Sequence, residues 1–181
     1  MRKHLQYTLL ILLLFVCGCT NNNRVEKEIR DLYGKEIVFP EEYTFMGSNN
    51  MSNADIIFEK DVKIVTYIED FQCTSCMYKM VVEWSDQIRS IFKDDVYYVV
   101  VMSSEDKEQL EELFRNHPIG ASIFLYENSI FGVKNDLDIV LSRNRTFMLN
   151  KQNRIVVVGE PFDDEKKWAV YKKAYNILKK E

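Results

Sequence analysis

A chain of 181 residues, 46% apolar and 29% charged, has room for one domain of ordinary size with a proper core. A formal net charge of −4, with 28 acidic against 24 basic residues, argues against nucleic acid as a partner and against electrostatic attachment to anionic lipid. No internal repeat, low-complexity tract or second domain boundary is visible.

The N-terminus departs from this composition. Arg2 and Lys3 precede an apolar run from Leu9 to Val16, too short to span a bilayer and right for the h-region of an export signal. The run ends in Val16-Cys17-Gly18-Cys19, which resembles a bacterial lipobox. That resemblance implies a signal peptide over residues 1–18, lipidation of Cys19, and a tether over residues 19–24. A conventional signal peptide with no lipid is the alternative, but it lacks an A-x-A-like small pair. Thr20 is not the aspartate of the inner-membrane retention signal, which points to the outer membrane. Loss of Arg2 and Lys3 moves the net charge from −4 to −6, and of four cysteines only Cys73 and Cys76 remain as thiols.

Residues 25–60 read as an N-terminal extension packed on a domain that covers residues 61–181. Val25 to Leu32 is a short helix with Gly34 as its stop, and Glu36 to Phe39 a strand closed by Pro40. Gly47 to Asn50 marks a turn, Ile56 to Phe58 suits an edge strand, and Val62 to Ile68 a central strand. This last strand runs into FQCTSC. A helix then carries Met77, Met80, Val81, Trp84, Ile88, Ile91 and Phe92 on one stripe. Val96 to Met102 is a strand covered on both faces, and Ser103 or Ser104 caps a helix from Glu105 to Asn116 with Leu110, Leu113 and Phe114 inward. Ser122 to Tyr126 is a short strand and Asn128 to Val133 a helical turn. Arg145 to Asn150 and Arg154 to Gly159 form a hairpin with Asn153 in a left-handed position. Asp163 caps a closing helix carrying Trp168, Ala169, Tyr171, Tyr175 and Leu178. The sum is an α/β domain.

A CxxC where a buried strand meets a helix, among alternating β and α elements, is the arrangement of a thioredoxin-like redox motif. On IVTYIEDFQCTSC, PIGASIFLYENSIFGV and TFMLNKQNRIVVVGEP, about residues 60 to 180 resemble the membrane-anchored TlpA and ResA type of bacterial thiol-disulfide oxidoreductase. The resemblance implies a thioredoxin-like fold, a central mixed sheet flanked by helices with a β-α insert. It further implies catalytic Cys73 and Cys76, and a substrate-binding loop set of Phe71, Thr74, Ser75, Asn144 and Arg145. Partners would be envelope protein disulfides or dithiols and a membrane electron donor, with no cofactor, metal or nucleic acid, on a lipid-anchored domain facing the periplasm.

Four positions depart from the family pattern. Gln72 stands where an aromatic residue usually precedes the first cysteine, with Phe71 one step back, and the central dipeptide is Thr74-Ser75 without proline. Lys79 replaces the acidic side chain of the ResA group. The family's cis-proline falls at Asn144 or Arg145; a cis bond without proline costs ~2.5 to 4 kcal/mol, so a trans loop is expected.

The nucleophile of disulfide exchange is a thiolate, and a helix N-terminus favours one. Cys73, the better exposed, would attack, and Cys76, one turn in, would resolve. Glu69 and Asp70 oppose the thiolate and Lys79 favours it, so the net shift has no readable sign. Reductase and oxidase pairs differ by ~150 mV, and the dipeptide does not choose between them; family analogy favours reductase. The alternative is an inert disulfide in a redox-inactive thioredoxin-like lipoprotein that binds a partner. Zinc lacks ligands. Copper would need His117, which is expected at the sheet edge opposite the cysteines.

Overall fold

The sheet is built where β-branched and aromatic residues cluster. The computed structural model describes residues 23–46, 55–69, 73–103, 107–117, 119–137 and 140–180. Two units are distinguished, one ending at Leu32 and one spanning Tyr33–Glu181. In the first, helix α1 covers residues 23–32, with Arg24 and Glu28 ion-paired one turn apart at 3.1 Å.

The second unit holds six strands: β1 (Thr44–Met46), β2 (Lys63–Glu69), β3 (Tyr97–Ser103), β4 (Ser122–Tyr126), β5 (Thr146–Leu149) and β6 (Ile155–Val158). Their spatial order is β1-β4-β3-β2-β5-β6. β2, β3 and β4 are parallel, while β1 pairs antiparallel with β4, β5 with β2, and β6 with β5. Parallel strands need crossovers, and these are α3 (Thr74–Phe92) and α4 (Lys107–Asn116). Short α2 (Asp55–Phe58) and α5 (Ile130–Lys134) and the closing α6 (Glu165–Leu178) complete the unit. The fold is therefore the expected mixed α/β sheet with flanking helices and a β-α insert, β4 and α5.

The period of two along β2 and β3 sends alternate side chains to opposite layers. Ile64, Tyr98, Val100 and Met102 join Met77, Val81, Ile88 and Phe92 of α3, Leu110 and Phe114 of α4, and Trp168 and Tyr171 of α6 in one core. On the other face, Phe39 packs on Phe58, Phe124 and Phe131, and Phe131 on Tyr67. Gly132 fits beneath Tyr67, since a β-carbon there would lie 2.5 Å from the phenol oxygen.

Several local expectations change. Residues 36–39 form no strand; Glu36 makes an isolated bridge to Arg154, and the chain then leaves the sheet edge to cover its face. Val38 pairs instead with the Asn135 side chain, which accepts its N–H and donates to its C=O, each at 2.8 Å. Residues 55–58 are helical where a strand is expected, and the edge strand is Thr44–Met46, where no strand is expected. Ile57 satisfies burial from one helical turn as well as a strand would. Ser103 ends β3, and Ser104, the other candidate cap of α4, lies outside the described residues. Asp164, not Asp163, caps α6, accepting from the Lys166 and Lys167 amides, while Asp163 takes the left-handed turn position at φ 60°. Ala169 faces solvent, and buried Ser85 joins the α3 stripe while Met80, Trp84 and Ile91 are half-buried. The hairpin turn has Asn153 at φ 56°, as its side chain and position require. Gly47 to Asn50 lie outside the described residues.

Candidate active site

β2 and β3 carry their carboxyl ends to one edge of the sheet, where α3 begins. Cys73 is the N-cap of α3, extended at φ −140° and ψ 101°, and its carbonyl accepts the first helical bond from the Met77 amide at 3.0 Å. An N-cap side chain ordinarily accepts from the exposed first-turn amides. Here the Cys73 sulfur does so, accepting from the Cys76 N–H at 3.3 Å, with the Ser75 hydroxyl 3.4 Å away. Cys73 and Cys76 are joined as a disulfide with Cα atoms 5.3 Å apart, within the ordinary span for such a bridge.

Both cysteines are exposed, and their positions on the helix distinguish them. Only Cys73 sits where an amide and a hydroxyl point at its sulfur, and both donors would favour its thiolate after reduction. Thr74 turns away, its hydroxyl donating to Gln109 Oε1 of α4 at 3.3 Å. Lys79 is exposed. His117 follows the end of α4, which runs alongside α3 as it returns toward the start of β4, and its ring lies 5.9 Å from that of Tyr78. Phe71 and Cys19 lie outside the described residues.

The loop expected to face the cysteines is a 3-10 turn, Ser142–Asn144, and no cis peptide occurs among the described residues. Asn144 is 3% exposed, with its amide donating to Leu141 O at 2.8 Å. Arg145 ends the turn and binds back across the sheet. Its Nη1 meets Glu69 Oε2 at 3.0 Å, its Nε donates to Val140 O at 3.0 Å, and its guanidinium lies 5.5 Å from the Tyr67 ring centre. Burial pushes the Tyr67 phenol up to about 12, so it stays neutral, 3.4 Å from the Ser103 hydroxyl. The Glu69–Arg145 pair was not foreseen. Its signal was opposite charges at adjacent strand ends, which becomes legible only once the β2–β5 register is known.

No family model and no curated protein matches the sequence. Solved structures do. A protein assigned as the thiol:disulfide interchange protein DsbE of Chlorobium tepidum superposes with a TM-score of 0.51 at 12% identity, over 81% of this chain and 97% of its own. One assigned as a protein disulfide isomerase of Bacteroides thetaiotaomicron gives 0.53 at 12% identity, over 82% and 91%. A thioredoxin-like protein in its oxidised form gives 0.51 at 13% identity, over 82% and 96%. The chain has a thioredoxin-like fold. On that fold, Cys73 and Cys76 occupy the strand-to-helix junction at disulfide distance, and β4 with α5 forms an insert between the crossover helix α4 and the closing hairpin.

Proposed function

We propose that this protein is an envelope thiol-disulfide oxidoreductase held to a membrane by lipid on Cys19, working as a reductase of protein disulfides. One observation carries the reading: an exposed Cys73–Cys76 disulfide at the N-cap of a helix at the carboxyl edge of a thioredoxin-like sheet. A structural bridge has no need of an exposed sulfur supplied with hydrogen-bond donors. The DsbE-assigned and isomerase-assigned proteins that share the fold support the same chemistry. Reductase over oxidase, and a membrane electron donor, rest on the TlpA and ResA resemblance.

In the reduced protein, the Cys73 thiolate attacks one sulfur of a substrate disulfide. A mixed disulfide forms, and the departing substrate thiolate takes a proton from solvent. Cys76, deprotonated, then attacks the Cys73 sulfur, releasing the second substrate thiol and leaving the Cys73–Cys76 disulfide. Two electrons have passed to substrate, and a dithiol donor must return them. Of the residues that the family resemblance assigns to the substrate loop, exposed Ser75 would meet the substrate chain, while Thr74 turns to Gln109 and the largely buried Asn144 and Arg145 would shape the loop from behind.

Replacing Cys76 by Ser removes the resolving step. The Cys76→Ser variant should accumulate mixed disulfides with envelope proteins through Cys73, released by reductant. A variant that traps none, together with a couple far below about −300 mV, would mark the bridge as structural and sink the reading.

A further inference from the structure

We infer that Arg145 and Glu69 form a charge-paired latch that positions the Asn144 loop and sets the reactivity of Cys73, a role that rests on the dithiol reading above. The loop has no proline to fix it, but its last residue is tied firmly. Besides the ion pair at 3.0 Å and the bond from Nε to Val140 O, the Arg145 carbonyl accepts the Tyr67 amide at 2.9 Å. The guanidinium also lies over the Tyr67 ring. Loop and strand β2 are thereby joined through both backbone and side chain at the strand's carboxyl end.

Exposed ion pairs contribute little, but these side chains are only 14% and 9% exposed. Each charge is withdrawn from water and depends on the other. Glu69 is the last residue of β2 and Cys73 the N-cap of α3, four residues on, so their Cα atoms lie no farther apart than about 14 Å. At that range an unpaired carboxylate would disfavour a Cys73 thiolate, and an unpaired guanidinium would favour one. Paired, the two cancel. Arg145 is thus a positioning residue: it holds the loop and removes the electrostatic penalty of Glu69 without touching sulfur.

Among the described residues, the other charges toward this edge include Lys79 on α3, Lys107 and Glu108 in the first turn of α4, Glu127 after β4, 3.8 Å from Lys107, Arg143 in the loop, and Glu160 beyond β6, whose backbone amide binds Arg143 O at 3.0 Å. They stay constant in a comparison of Arg145→Met, Glu69→Gln, the double variant and Arg145→Lys, each in a Cys76→Ser background. The readout is the rate of Cys73 alkylation by iodoacetamide as a function of pH.

Arg145→Met should move the profile to higher pH and slow alkylation at neutral pH about threefold, the scale of one charge acting across roughly 10 Å near a protein surface once screened by about 0.1 M salt. Glu69→Gln should move it to lower pH by a similar factor. The double variant should return close to the parent, and Arg145→Lys should keep the parent profile. Two single variants that shift in the same direction, or a loss of stability with no shift in either, overturn the latch. Should Arg145→Met fail to fold, Glu69→Gln decides alone, and a profile that does not move down in pH overturns it. Alkylation requires only a thiol. A parent protein that reduces no disulfide therefore sinks the dithiol reading, while the signs of the two shifts separately decide the latch.

Discussion

Lys63 opens β2 with its side chain wholly buried, its ammonium donating to Lys60 O at 2.8 Å. Burial pulls its pKa from 10.5 down to about 8, against the attraction of Asp61 and with some help from Lys151. The unfolded chain holds this proton up to about pH 10.5, whereas the native protein releases it from about pH 8. Across that window the unfolded state binds more protons, so the contribution of Lys63 to stability rises with pH; below it a constant penalty of roughly 3 kcal/mol applies. Lys63→Met should therefore raise stability at pH 7 by about 1 to 2 kcal/mol after the lost hydrogen bond is subtracted. Urea unfolding at pH 7 and pH 10 should show the advantage shrinking at the higher pH. Equal stability of variant and parent at both would mean that Lys63 keeps a hydrated charge. Nothing in VKIVTYI gave notice that its lysine is internal, because alternation in a strand names two faces but not which end of a face is covered.

At the scale of elements, the strap over residues 35–46 shows how tertiary partners override local pattern. Glu36 to Phe39 has the composition of a strand, yet Asn135 substitutes for a neighbouring strand, binding both Val38 backbone groups and also donating to Phe131 O at 2.9 Å. Asn135→Ala would leave these partners without their bonds and should cost about 2 to 4 kcal/mol, with the Val38 amide exchanging faster than those of β2 and β3. Uniform loss of protection across the sheet would show that the strap is no separate unit. Elements carried by long periodic runs, β2, α3, β3 and the hairpin, were legible, since burial and period agree there. The four-residue helix α2 and three-residue strand β1 were not, because segments so short present no full period. At the site, the cysteine pair was legible from spacing alone; Ser75 was marked as a loop residue, but its aim at the Cys73 sulfur depends on helix geometry, and the partner of Arg145 depends on strand register.

For the molecule as a whole, the proposed anchoring asks what would hold an acidic protein on a membrane. Among the described residues no helix is long and apolar enough to cross one, and the net charge, −4 for the whole chain and −6 if Arg2 and Lys3 leave with a signal peptide, repels anionic headgroups rather than binding them. The proposed reading places attachment on lipid at Cys19, and a single acyl chain holds only marginally where two or more hold firmly. Cys19→Ser should release the protein from the membrane fraction while leaving the Cys73–Cys76 reduction potential unchanged, because no charge or contact near the thiols is altered. High salt screens electrostatic attachment but not acyl chains, so a salt wash should leave the parent bound. Release of the parent by salt, or retention of Cys19→Ser in the washed membranes, would count against a lipid anchor and for a protein partner as the tether.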